Sequence, residues 1–383
     1  MKSDRIFHVI IVVFCCLSTV YSFGNYSWNN PSSNLPQGCE HHTYHSELMN
    51  IDIGYCIYLP PDYSTTDALY PVVYSLHGMG GNENSNCQAY ADVLRSGIGA
   101  NDFPPVIVVF VNGRGNTFYS NSKDGSVKCE SSIIRELIPH IDQTYRTMEN
   151  RTKRAIEGIS MGGFGALMLG FKHPDLFTSI GSYDAALVNW DTLSEQQFDQ
   201  SIPTQIFGSD EQYFNENSYP FTFARRNAET ITSLGINVRM VTGDNDVQMG
   251  PLHNYNLAMR DTLNTLGIDL DFNTIPGGRH GDGMNATTIK ENLLFHTANF
   301  ASTALRHTNM PSPAKDTRNR LVTFSIFSSF RLPYEWSRST GTVTLYRFDG
   351  KCAGVVHCNG RGIADGTGVR KIFASGKYLA KIP

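Results

Sequence analysis

Two almost uninterrupted apolar runs, Pro71–Leu76 and Val106–Val111, limit the fold of this chain more than any other feature. A strand with one wet face alternates apolar and polar residues. A strand that is apolar nearly throughout must be covered on both faces, as in a parallel sheet between two helical layers. The surrounding pattern agrees. Ile51, Ile53, Tyr55, Ile57 and Leu59 recur at every second position and predict a half-buried strand. In Cys129–Tyr145, Ile134, Ile138 and Ile141 fall three to four apart with Leu137 beside them, and Gly163–Lys172 gathers Phe164, Leu167, Met168 and Phe171, so both predict helices. Strand Val238–Thr242, helix Leu252–Leu266, strand Asp269–Ile275 and helix Ile289–Phe300 continue the rhythm. The expectation is an α/β domain over residues 46–305 built on a mostly parallel, doubly wound sheet.

The flanks read differently. Lys2 and Arg5 precede an apolar stretch from Ile6 to Val20, and Val20-Tyr21-Ser22 offers a cleavage site. Residues 1–22 are therefore expected to be a signal peptide, whose apolar stretch Ile6–Val20 is short for the roughly 20 residues of a membrane span. No other segment is long and apolar enough, so the expectation is a secreted, extracellular protein with no stable membrane insertion. Residues 23–45, rich in Asn, Ser, Gly and Pro, are expected to form a mobile mature N-terminus. Residues 306–320 read as a linker, and 321–383 as a small β-rich or disordered appendage of unknown role. Its Tyr334, Trp336 and Tyr346 read as core packing ahead of sugar stacking.

Composition excludes some classes. With 40% apolar and 17% charged residues the chain is not disordered, and a net charge of −4 without a Lys/Arg run gives nucleic acid nothing to hold. Cys15 and Cys16 leave with the signal. The remaining Cys39, Cys56, Cys87, Cys129, Cys352 and Cys358 are expected to form disulfides, with Cys352 and Cys358 closing a local loop. No Cys or His spacing suits zinc, so no metal is expected. Asn25, Asn150 and Asn285 open glycosylation sequons.

Chemistry concentrates at Gly158-Ile159-Ser160-Met161-Gly162, a G-x-S-x-G between a strand-forming Lys153–Glu157 and the helix that begins near Gly163. A serine on a tight strand-to-helix turn needs glycines at Gly158 and Gly162 so that neighbouring backbone can approach, and the helix N-terminus favours developing negative charge. A second glycine cluster, His77-Gly78-Met79-Gly80-Gly81, directly follows the first apolar strand. The amides of Met161 and Met79, with Gly78 beside the latter, are the candidate oxyanion donors, and His77 is expected to hold the loop. The serine needs a base and the base a carboxylate. Asp244 and Asp246 both follow strand Val238–Thr242, and sequence physics barely separates them. His253 and His296 lie in predicted helices, whereas His280 lies in the flexible loop Pro276-Gly-Gly-Arg-His-Gly281, which suits a base.

With these residues assembled, a resemblance is plain. Arg154-Ala-Ile-Glu-Gly-Ile-Ser-Met-Gly-Gly-Phe-Gly-Ala-Leu167, Lys172-His-Pro-Asp-Leu-Phe177, Leu76-His-Gly-Met-Gly-Gly81 and Glu136-Leu-Ile-Pro-His-Ile-Asp142 resemble the esterase D family of α/β-hydrolases. That group includes S-formylglutathione hydrolases, feruloyl and acetylxylan esterases and mycolyltransferases. The resemblance spans about residues 48–300 and implies an α/β-hydrolase fold. It maps the carboxylate closing a Gly-x-Asn-Asp segment onto Asp246, and the histidine after a Gly-Gly pair onto His280. Ser160, Asp246 and His280 would then hydrolyse a carboxylic ester through an acyl-enzyme, without a cofactor. The substrate would be a small-molecule or polysaccharide-linked ester. The alternatives are an acyltransferase using the same triad and a catalytically silent binding protein. Two departures bear on substrate: Gly281-Asp-Gly-Met284 stands where the family often has an aromatic residue, and residues 306–383 have no recognised counterpart.

Overall fold

The computed structural model describes residues 26–195, 199–248 and 250–308, and beyond them four further strands. The signal-peptide expectation lies outside the described residues, as does the expected linker from residue 309 on; residues 306–308 instead continue the helix Ala286–Thr308.

An eight-stranded sheet organises residues 26–305. Its strands are β1 (Cys39–Ser46), β2 (Ile51–Tyr58), β3 (Val72–Leu76), β4 (Ile107–Val111), β5 (Arg154–Ile159), β6 (Ser179–Tyr183), β7 (Asn237–Gly243) and β8 (Asp269–Ile275). Their spatial order is β1-β2-β4-β3-β5-β6-β7-β8. β1, β2 and β4 pair antiparallel, and every pair from β4 onward is parallel. The two apolar runs became β3 and β4, adjacent and buried at all five positions each. Helices cover both faces, leaving one core around Tyr74, Leu76, Ile156 and Phe164 and another around Val73, Tyr90, Val108 and Leu293. The fold is that of an α/β-hydrolase.

Local differences from the sequence reading have physical causes. The helical stretch after Cys129 is interrupted at Ile133–Leu137 by a wider turn with i→i+5 bonding, immediately before Pro139, which lacks an N–H to donate. Residues 26–45 do not form a mobile N-terminus. β1 pairs with all of β2, and upstream of it the Gly54 N–H donates to Trp28 O at 2.7 Å. Buried Glu83 binds the Asn30 backbone and side-chain N–H groups at 2.6 and 2.9 Å, His41 Nε2 at 3.0 Å and Asn112 Nδ2 at 2.8 Å. A polar, apolar-poor segment is thus held by one buried carboxylate, a signal that hydrophobic periodicity does not carry.

The cysteine expectation is also corrected. Cys39, Cys56, Cys87 and Cys129 are free thiols, with the Cys87 thiol in contact with both Cys39 and Cys56. Cys352 and Cys358 lie on one strand, Cys352–Asn359. Six residues of extended chain separate two Cα atoms by about 20 Å, far beyond the reach of a disulfide. The side chains of two sequon asparagines act as helix caps: Asn150 accepts from Thr152 N and Asn285 from Thr287 N, both at 2.9 Å.

The segment 306–383 is a second compact unit. Its described strands, β9 (Leu321–Ile326), β10 (Thr340–Tyr346), β11 (Cys352–Asn359) and β12 (Gly376–Lys381), form an antiparallel sheet in the order β11-β10-β12-β9.

Candidate active site

β5 ends at Ile159, and the next residue, Ser160, has φ 56° before the chain enters helix Met161–Lys172. This left-handed conformation costs an L-residue on the order of 1–3 kcal/mol and persists only where the surroundings enforce it. Here they do. Ser160 N donates to Tyr183 O at 2.9 Å, and Ser160 O accepts from Ala186 N and Phe164 N, both at 3.0 Å. The flanking glycines allow the turn to close. A Cβ on Gly158 would sit 2.4 Å from the Gly162 carbonyl, and one on Gly162 would sit 2.2 Å from Leu76 O. The helix itself is buried on nearly every side, so the turn is fixed in the middle of the protein.

The loop after β3 meets this turn. A Cβ on Gly78 would lie 3.5 Å from Ser160 Cβ, which sets Gly78-Met79 beside the nucleophile candidate. His77 holds the loop from beneath. Its Nδ1–H donates to Gly78 O at 2.8 Å, and Gly113 N–H donates to its Nε2 at 3.1 Å. Burial lowers the pKa of His77 to about 4, with the Gly78 hydrogen bond and Glu83 opposing, so the ring is neutral and structural. Gly80 N donates to Gly115 O and Gly81 N to Gly78 O, closing the loop on itself and on the strand β4 exit. Met161, the first residue of its helix, carries an N–H that has no place in the intrahelical ladder.

The candidate carboxylate and imidazole arrive from the far edge. His280 Nε2 lies 2.8 Å from Ser160 Oγ, and its Nδ1 lies 2.9 Å from Asp246 Oδ2. Asp246 is fully buried, and its Oδ1 has no hydrogen-bond partner among the described residues. Asp244, the other candidate carboxylate, is exposed and accepts from Gly277 N at 2.6 Å, a turn-holding role. His296 is in the core, with Nδ1 at 2.7 Å from Ser179 Oγ and Nε2 at 3.4 Å from Glu157 Oε2. His253 stays in its helix. Ser160, Asp246, His280, Met161 and the Gly78-Met79 loop thus converge on the C-terminal edge of the parallel strands, where α/β sheets bind ligands.

Two acidic residues escaped the sequence reading. Glu157, buried in β5 three residues before Ser160, accepts from Tyr90 OH at 2.9 Å, Asn292 Nδ2 at 2.7 Å and Tyr183 OH at 3.1 Å. A carboxylate inside a central strand was the available signal. Asp184 follows β6, whose small residues gave no apolar run. Among the described residues no group of three or more His, Cys, Asp or Glu is arranged to hold a metal, and no helix is long and apolar enough to cross a membrane.

The family model that describes esterases matches residues 46–254, more than half of the chain, including Gly158–Gly162, the His77–Gly81 loop and Asp246. This chain belongs to the esterase family. An esterase of Mycobacterium tuberculosis is 32% identical to this esterase over 158 residues, 38% of this chain and 34% of the relative. An endo-1,4-beta-xylanase/feruloyl esterase of Xylanibacter ruminicola is 34% identical over 129 residues, 32% of this chain and 18% of that protein. The match thus spans about a third or less of the length of these curated relatives. Among solved structures, a ferulic acid esterase superposes with a TM-score of 0.60 at 23% identity, covering 70% of this chain and all of that one (100%). An S-formylglutathione hydrolase of Staphylococcus aureus superposes with a TM-score of 0.56 at 18% identity, covering 68% and 98%. These likenesses show the α/β-hydrolase fold of the esterase.

Proposed function

We propose that this esterase is a serine carboxylic-ester hydrolase with Ser160, His280 and Asp246 as its triad. The observation that carries the reading is the unbroken chain Ser160 Oγ–His280 Nε2 at 2.8 Å and His280 Nδ1–Asp246 Oδ2 at 2.9 Å, set on a strained elbow. In this reading His280 removes the hydroxyl proton as Ser160 attacks the ester carbonyl, and Asp246 fixes the ring tautomer and steadies the imidazolium. The amides of Met79 and Met161 receive the oxyanion, a contribution of several kcal/mol in comparable sites. His280 then gives its proton to the departing alcohol, and water repeats the sequence on the acyl-enzyme.

For substrate we favour acyl esters attached to polysaccharides or small alcohols. Support comes from the ferulic acid esterase among the structural neighbours and the xylanase/feruloyl esterase among the relatives. Export after cleavage near Ser22 belongs to the same reading and rests on Lys2, Arg5 and the apolar stretch that follows. The test is fluorophosphonate labelling read by intact mass, with Ser160→Ala as control, followed by acetyl, butyryl and feruloyl esters. One adduct on the wild type and none on the variant is expected. A variant that still labels, or still turns over esters, would refute the assignment of Ser160.

A further inference from the structure

The turn Tyr183–Ala186, which directly follows β6, contacts Ser160 and the two loops that carry Asp246 and His280. Its backbone grips the nucleophile residue through Ser160 N to Tyr183 O at 2.9 Å and Ala186 N to Ser160 O at 3.0 Å. Asp184 N donates to Val241 O at 2.8 Å, tying the turn to β7. The Asp184 carboxylate faces the other way, toward the two loops that supply acid and base. Its Oδ1 accepts from Gly243 N at 2.8 Å, three residues before Asp246. Its Oδ2 accepts from Gly281 N at 3.0 Å, next to His280, and from Gly283 N at 2.7 Å. Asp184 is completely buried, and its φ of 41° lies in the left-handed region that Asp and Asn tolerate best among side-chain residues.

We propose that Asp184 is a positioning residue for ester hydrolysis, a single carboxylate that fixes the Asp246 loop and the His280 loop to each other and to the turn that grips Ser160. The inference rests on the triad reading above. The physical case is one of supply and demand. The His280 loop is Gly-rich, with positive φ at Gly277 (70°) and Gly281 (93°), and has no apolar anchor between Arg279 and Gly283. A loop of that composition would spread over many conformations unless its N–H groups had a fixed acceptor. Three N–H donors converging on one buried carboxylate supply that acceptor, and charge-assisted bonds are the stronger kind. The groups facing Asp184 are Asp246 and His280, and burial raises its pKa while the Gly243 and Gly283 amides oppose that shift. Three N–H donors favour its carboxylate form, and that carboxylate also faces the imidazolium that forms during each half-reaction.

Asp184→Asn separates these roles from folding, because Asn tolerates the same backbone but places an amide NH2 among N–H donors. Turnover per site, counted by fluorophosphonate titration, is expected to fall about 10- to 100-fold with KM within a factor of about two. The acid limb of the kcat/KM profile is expected to move to lower pH, since an anion facing His280 has been removed. A purely structural role would lower the number of titratable sites and leave that limb in place. Gly283→Ala is the second probe: its Cβ would meet Asp184 Oδ2 at 2.5 Å, so it is expected to depress turnover per site in the same way. Wild-type turnover per site and an unmoved acid limb in both variants would overturn the inference. Ser160→Ala runs alongside. If it is inert while Asp184→Asn behaves as wild type, only the Asp184 proposal fails. If Ser160→Ala keeps its activity, the triad reading fails and the proposal with it.

Discussion

Gly162→Ala should damage catalysis far more than its single methyl group suggests. The added Cβ would stand 2.2 Å from Leu76 O, 2.6 Å from Leu76 C and 2.7 Å from His77 O. These are backbone atoms at the end of β3, bonded within a central parallel sheet, so no side chain can rotate away. The closest contact falls short of ordinary van der Waals separation by about 1 Å. Helix Met161–Lys172 and the His77–Gly81 loop must part by roughly that distance. Overpacking of this kind costs about 1–3 kcal/mol of stability. Catalysis loses more, because the two candidate oxyanion amides, Met161 and Met79, sit on the two elements forced apart. A misplacement of about 1 Å, or the loss of one donor, lowers kcat by about 10²-fold or more. Hydrolysis of p-nitrophenyl acetate should therefore show kcat down about 100-fold with KM little changed, while urea unfolding stays cooperative with a lower midpoint. Gly99→Ala is the control: it ends helix Cys87–Gly99, its Cβ would meet nothing within 4 Å, and it should be neutral or stabilising by up to about 1 kcal/mol. A Gly162→Ala variant with wild-type kcat would refute the coupling of the Ser160 turn and the candidate oxyanion loop.

Three further outcomes are expected. Asp246→Asn should lower kcat by about 10³–10⁴-fold, whereas Asp244→Asn should change it less than tenfold; equal losses in steady-state assays would contradict the buried-versus-exposed assignment. His77 is held neutral by burial, with a pKa lowered from 6.5 to about 4, so its contribution to stability is complete above pH 6.5 and is lost as pH falls toward 4. Urea midpoints of His77→Asn should accordingly depend less on pH across that interval than those of the wild type. Burial would raise the pKa of Glu130, but His173 at 2.9 Å and Lys172 at 2.7 Å lower it overall below its ordinary 4.5. That ion pair stabilises above pH 4.5 and fades below it, and the melting difference between wild type and Glu130→Gln should shrink on acidification through that value.

What was legible in the sequence was whatever depends on local chain chemistry. β3 and β4 follow from apolar runs and β2 from alternation, although β2 is buried on both faces from Ile53 to Tyr58 rather than half-buried, and the elbow follows from glycines that only a close backbone approach requires. Ser160 and His280 could be picked out because one lies on a strand-to-helix turn and the other on a Gly-rich loop. Asp246 and Asp244 are two residues apart on one loop, and only the burial of one and the exposure of the other distinguishes their chemistry. The remainder was hidden because it is long-range and polar. Glu83 orders residues some fifty positions upstream, Asp184 reaches across about a hundred to Gly281 and Gly283, and Glu157 gathers Tyr90, Tyr183 and Asn292. None of these leaves a periodic trace. β6, with Ser179, Gly181 and Ser182, is buried because its small residues fit between helices, not because its own side chains are greasy.

The hydrogen bond between Ser160 and His280 joins positions 120 residues apart in sequence. Closing so long a loop is entropically slow, and the bond also requires β6, β7 and β8 to have docked in parallel register. Most of the helical signal, by contrast, comes from short stretches that form quickly. On refolding from denaturant, ester turnover should therefore return after the far-ultraviolet circular dichroism has recovered, and the enzyme's own activity becomes a clock for the last step of its folding.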